Sequence, residues 1–133
     1  MDTVILKIET KEHTEMKDIT DDVQRIVTES GIKDGICMVY VPHTTAAVTI
    51  NENADPDVKR DFIMEIDKIV PWKDGYRHAE GNSAAHLKSS MIGFSEQVII
   101  EDGRLVLGVW QGIYFCEYDG PRTRKVIVKI TEG

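Results

Sequence analysis

Two cysteines and four prolines in 133 residues leave little scope for covalent stapling and few positions with a fixed backbone angle. Cys37 and Cys116 are far apart, lie in apolar runs and match no metal-ligand spacing. Both therefore read as buried free thiols rather than a disulfide or a nucleophile. No apolar run approaches the roughly 18 residues that span a bilayer, so no membrane partner is expected. Met1-Asp2-Thr3-Val4 brings neither a basic segment nor a long apolar one. No signal peptide is expected, and the cytoplasm is the expected location. Basic residues are also in deficit, 16 against 23 acids, for a formal charge of −7. That balance, with Lys and Arg scattered rather than striped, argues against nucleic-acid binding.

What is present suits one compact domain over residues 1–133, with 41% apolar and 29% charged residues. A chain of this size can bury roughly 68% of its unfolded surface without metal or disulfide. Residues 3–9 alternate as a strand, with Val4, Leu6 and Ile8 on one side. Thr20, followed by Asp21 and Asp22, reads as an N-cap; Ile19, Val23, Ile26 and Val27 recur at helical spacing, and Gly31 stops the helix. Residues 36–41 and 44–50 read as strands. Asp55 and Pro56 then start a helix with a Val58, Phe62, Ile66 and Ile69 stripe that ends at Pro71. Residues 72–83 lack a period, and residues 84–92 read as a short helix. Asp102-Gly103 marks a hairpin between residues 96–100 and 104–109, and Asp119-Gly120-Pro121 suggests a second between 113–118 and 124–131. The expected class is α+β, a mixed, mostly antiparallel sheet with two or three helices on one face.

Three of the four histidines, His43, His78 and His86, fall in the irregular middle, near Asn51, Glu52, Asn53, Asp55 and Asn82. His13 lies in a charged stretch and reads as solvated surface. Three neutral imidazoles can hold a zinc-like ion with one position open, and a carboxylate such as Glu52 or Asp55 can orient one of them. Without metal, the same rings can work as general acid and base. The spacing matches no metalloprotease or finger pattern, and loop histidines bonded to backbone explain it equally. Asp55 is explained by capping alone, although a helix start beside a polar loop also receives anions. Gly81-Asn82-Ser83 opens the short helix with small residues that would let a phosphate reach backbone amides. Gln111, after Trp110, is either a sheet-edge residue or an amide facing a ligand. Arg122 and Arg124 are either solvated at a turn or within reach of a phosphate or carboxylate.

Four motifs in order, Pro42-His43-Thr44-Thr45-Ala46, Asn51-Glu52-Asn53-Ala54-Asp55-Pro56, Gly81-Asn82-Ser83-Ala84-Ala85-His86-Leu87 and Gly108-Val109-Trp110-Gln111-Gly112-Ile113, resemble the YjbQ-like family of small uncharacterised proteins. Ser95, Val98, Ile100, Gly103, Gly108, Trp110 and Gln111 fit its signature, while Val109 stands where Thr is usual. The resemblance implies an α/β homotrimer, a divalent metal (zinc first) at His43, His78 and His86, and a low, secondary thiamine-phosphate synthase activity. It also implies a pocket whose catalytic candidates are His43, Asn51, Glu52, Asp55 and Asn82, with Gly81, Gln111 and Arg122 contacting the ligand.

Two functions follow. One is an enzyme acting on a small phosphorylated molecule, with Arg77, Lys88 and Arg122 as the few fixed cations near a diphosphate. The other is a metal- or anion-binding module without turnover, because no activated Ser or Cys nucleophile is evident.

Overall fold

The computed structural model describes residues 2–133, and α+β is the class it shows. Strands β1 (Asp2–Glu9), β2 (Glu15–Asp18), β3 (Gly35–Tyr40), β4 (Ala46–Glu52), β5 (Ser95–Glu101), β6 (Arg104–Leu105), β7 (Gln111–Glu117) and β8 (Thr123–Glu132) are interspersed with helices α1 (Thr20–Ser30), α2 (Pro56–Ile69) and α3 (Ser83–Ile92). Every strand pair among the described residues is antiparallel. The strands form two sheets, a five-stranded one ordered β1-β8-β3-β5-β6 and a three-stranded one ordered β2-β7-β4. The expected single mixed sheet is thus replaced by two wholly antiparallel ones.

Period-two burial decides which face looks inward. In β3, Gly35, Cys37 and Val39 are buried while Ile36, Met38 and Tyr40 are exposed. The inward residues meet Val126, Val128 and Ile130 of β8, Val98 and Ile100 of β5, and Val48, Ile113 and Phe115 of the small sheet. Helix α1 adds Val23, Ile26 and Val27 to this core. The other face of the small sheet, with Ala47, Tyr114 and Cys116, is covered by Phe62, Ile63 and Ile66 of α2 and Ala85 and Ile92 of α3. Strand β7 is therefore buried on both faces from Gly112 onward. Cys37 and Cys116 are free and buried, and desolvation pushes their thiols up to about 11 and about 12.

Local signals act as their chemistry requires. Asp55 accepts the Asp57 N–H at 2.9 Å with Pro56 at the first helical position. Gly31 closes α1 at φ 74°, and Asp102 and Gly103 take φ 52° and 77°, the positive pair that a tight hairpin needs. Thr20, expected as N-cap, lies inside the first turn. Ile19 holds the N-cap position without a side-chain cap, and the preceding Asp18 accepts both the Thr20 N–H at 2.9 Å and the Thr20 hydroxyl at 2.6 Å through Oδ1.

The second expected hairpin does not form. Strand β7 has both edges taken by β2 and β4, so the chain turns at Asp119-Gly120-Pro121 and crosses to the large sheet as β8. Strand β6 stops at Leu105; Val106 still donates its N–H to the Ile99 carbonyl at 2.8 Å, and residues 107–110 leave the sheet. No helix among the described residues is long and apolar enough to cross a membrane.

Candidate functional site

The crossover from β7 to β8 is held by a buried ion pair. Glu117 and Arg124 are almost wholly enclosed, on strands of different sheets. Glu117 Oε1 accepts from Arg124 Nε at 2.8 Å and from the Thr10 hydroxyl at 2.9 Å. Its Oε2 accepts from a second guanidinium nitrogen and from the Asp119 N–H at 2.9 Å. Arg124 also donates to the Thr45 hydroxyl at 2.8 Å. This bidentate geometry fixes Arg124 against the segment that carries His43, Thr44 and Thr45.

Above this pair lies a polar cleft of about 360 Å³. Pro42, His43, Thr44 and Thr45 form one wall, Glu80, Asn82 and His86 another, and Arg122 and Arg124 a third. Arg122, half exposed, donates through Nε to the Asp119 carbonyl at 2.7 Å and through a terminal nitrogen to Asp119 Oδ2 at 2.9 Å. Asn82 Nδ2 donates to the same carboxylate oxygen at 2.9 Å, which fixes the orientation of its amide. Asn82 Oδ1 is then left buried without a donor among the described residues. Such an acceptor calls for a water or a ligand N–H or O–H.

His43 is constrained differently. Its Nε2 accepts the Lys125 backbone N–H at 2.9 Å, so the neutral ring carries its proton on Nδ1. Burial lowers its pKa, and the adjacent Arg124 charge lowers it further, against the opposing pull of Glu117 and the Lys125 N–H. His86 also borders a second hollow, shared with Tyr76, Arg77, His78, Ser83 and Leu87. The His78 and His86 rings stand edge to face, centroids 5.3 Å apart, and His78 Nε2 is 3.6 Å from Glu80 Oε1.

His43 and His86 thus share one cleft, with His78 against the far side of His86. No group of three His, Cys, Asp or Glu side chains that could hold a metal ion occurs among the described residues. With its Nε2 committed to a backbone N–H, His43 does not fit a common ion with the other two rings in this arrangement.

Asn51, Glu52, Asp55 and Gln111 occupy the opposite end of the small sheet. In the β4–β7 register Ala46 faces Glu117 and Glu52 faces Gln111, so the two ends are roughly 20 Å apart at 3.3–3.4 Å per residue. There Asn51 Oδ1 accepts the Glu52 N–H, Asn53 donates to Asp18, and Asp55 caps α2. Gln111 Oε1 accepts the Gly108 N–H at 2.8 Å. Asp18 is held below the usual carboxylate range: burial raises it, but hydrogen bonds from Thr20 and Asn53 and the Lys59 charge prevail. Gly81 sits at φ 78° just before Asn82.

Glu80, Glu117 and Asp119 were not singled out by sequence. Glu117 carried the only available signal, a charge interrupting the apolar run from Ile113 to Tyr118. His13 is exposed, as expected, and its ring also lies edge-on to Trp72, centroids 4.6 Å apart.

Comparison with known proteins places the chain. The family described as UPF0047 protein YjbQ-like matches residues 4–133. The Bacillus subtilis UPF0047 protein YugU is 56% identical, over 94% of this chain and 96% of that protein. A Clostridium acetobutylicum crystal structure from the YjbQ/UPF0047 family is 54% identical with a TM-score of 0.95, covering 96% of this chain and 99% of that one. The structure of hypothetical protein APE1520 from Aeropyrum pernix superposes with a TM-score of 0.95 at 36% identity, over the full length of both chains.

Proposed function

The chain belongs to the YjbQ-like UPF0047 family, and within that family we propose that its polar cleft binds a small phosphorylated molecule bearing a hydroxyl or amine, with His86 as the proton-exchanging group. The carrying observation is the pairing of opposite needs in one cleft. Arg122 and Arg124 line it with guanidinium donors, and Asn82 Oδ1 waits buried for a donor. A guanidinium has five N–H donors, and Asp119 engages two of those on Arg122, so others stay available to phosphate oxygens. The hydroxyl or amine of the same ligand satisfies Asn82.

His43 serves as a fixed hydrogen-bond donor through Nδ1, because its other nitrogen is occupied by the Lys125 N–H. His86 has no such restraint from a backbone donor and lines the same cleft, which suits it to general acid–base work. Thiamine-phosphate synthesis is a finer reading that this cleft supports only as a slow reaction. Both guanidinium groups already neutralise carboxylates, leaving little uncompensated positive charge for a departing diphosphate. A divalent metal would have to be held by His78 and His86 with ligands from beyond this chain.

Self-association fits the same picture. Ile5, Ile36, Met38, Tyr40 and Ile99 are exposed on the outer face of the large sheet, interspersed with Lys7, Gln97, Lys125 and Lys129, and a homotrimer is the assembly the family resemblance suggests. Two unpaired thiols suit a reducing compartment, which supports a cytoplasmic location.

Calorimetric titration with glycerol phosphate tests the reading. Wild-type protein should bind it, and Arg122→Ala should weaken binding by about tenfold or more, equivalent to the loss of one charge-assisted contact. Binding with turnover of phosphorylated substrates that His86→Ala abolishes supports the enzyme, whereas binding without turnover supports the module. No heat of binding, or equal binding by Arg122→Ala, would refute the cleft as a phosphate site.

A further inference from the structure

A separate cavity lies beside helix α2. It measures about 660 Å³, within the usual size range of small-molecule sites, and is lined by His13, Thr14, Ile63, Met64, Asp67, Trp72 and Asp119. Its walls come from three parts of the fold. Ile63 and Asp67 lie one turn apart on α2, Trp72 follows that helix, and His13 and Thr14 lie between β1 and β2. The His13 carbonyl accepts the Gly120 N–H at 3.0 Å, which ties that turn to the Asp119 segment. The edge-on contact of His13 with Trp72 fixes two aromatic rings in the lining.

Among the described residues, the only carboxylates or fixed cations in the lining are Asp67 and Asp119, whose paired cations, Lys88 and Arg122, stand outside it. Each carboxylate is half engaged: Asp67 Oδ1 takes the Lys88 ammonium at 2.9 Å, and Asp119 Oδ2 takes Asn82 and Arg122. Asp67 Oδ2 and Asp119 Oδ1 have no hydrogen-bond donor among the described residues, and His13 Nε2 stands 3.9 Å from Asp119 Oδ1. Asp119, largely enclosed, and Asp67, two-thirds exposed at the rim, each keep one oxygen free beside an aromatic and aliphatic wall, an arrangement that favours a flat ligand that is positively charged and donates N–H bonds.

We propose that the Trp72 cavity is a binding site for a planar aromatic cation bearing N–H donors, such as an amidine or protonated aromatic amine. The ring packs against Trp72, Ile63 and Met64, and the N–H groups meet Asp67 and Asp119. This proposal does not depend on the phosphate reading of the histidine cleft, whose walls share only the Asp119 anchor.

Benzamidine is the probe and benzoate the control, a ring of similar size with the opposite charge. Trp110, the other tryptophan, lies exposed at the far end of the small sheet, so Trp110→Phe leaves Trp72 as the sole indole reporter. Benzamidine should change Trp72 emission saturably with a midpoint near or below about 1 mM, and benzoate should bind about tenfold more weakly or worse. Met64→Lys places a cation in this cavity alone, at an exposed position where folding is preserved, and should abolish the benzamidine response. Equal binding of benzoate, an unchanged response in Met64→Lys, or no saturation by about 20 mM benzamidine would each overturn the proposal.

Discussion

Replacing Glu117 by Gln keeps the side-chain shape but removes the negative charge and turns one acceptor oxygen, which takes two of its hydrogen bonds, into a donor. Glu117 is fully enclosed, Arg124 is 4% exposed, and the carboxylate accepts four hydrogen bonds. Gln keeps the volume and one acceptor oxygen, but it leaves a guanidinium uncompensated in a low-dielectric setting. Breaking a buried ion pair in this way costs about 3–5 kcal/mol. With a urea m-value of about 2 kcal/mol/M, the unfolding midpoint should fall by roughly 1.5–2.5 M at fixed protein concentration. Arg124→Met should cost somewhat less, because the orphaned carboxyl can take up a proton. The double variant Glu117→Gln/Arg124→Met removes both charges and should recover at least about 2 kcal/mol relative to the sum of the singles. Chemical denaturation followed by circular dichroism reads all four proteins. A single-variant loss below about 1 kcal/mol, or strictly additive losses, would refute the claim that this pair is closed off from water.

Two further perturbations probe the surroundings. His43 has a lowered pKa in the folded protein, so below about 6.5 the unfolded chain binds the proton more readily. Stability should therefore decline as pH falls through that value toward the folded pKa, and His43→Gln should flatten that part of the curve; an unchanged pH profile in urea melts would contradict the assigned burial. Asp55→Ala should cost about 1 kcal/mol through loss of the α2 cap, and Asp55→Asn much less. A loss of ligand binding in Asp55→Asn without loss of stability would show that Asp55 does more than cap.

Local chemistry was the legible part. Asp55-Pro56, Gly31, Asp102-Gly103 and the alternation in β1 and β3 each act through neighbours within a few residues, and each does in the structure what its residue type favours. Strand β2 escaped notice because Glu15, Lys17 and Asp18 surround Met16 as its only buried residue, leaving no periodic signal. The division into two sheets depends on which edges β7 has free, and that is settled by β2 and β4 from elsewhere in the chain.

The same limit governs the site. His43 and His86 share a cleft because Arg124 and Glu117 pin the β3–β4 segment to the crossover, and the Glu117–Thr10 bond joins residues from opposite ends of the chain. Asn51 and Glu52 follow His43 closely in sequence, yet an extended strand carries them away from it. Proximity along a loop brings groups together; proximity along a strand separates them by over 3 Å per residue.

The central claim is that His43 and His86, with Arg122, face one phosphate-binding cleft. Imidazole resonances followed by NMR during addition of glycerol phosphate test it residue by residue. His43 and His86 should shift with a common midpoint while His13, in the Trp72 cavity, stays still. Movement of His13 alone, or four histidines drifting together without saturation, would contradict it.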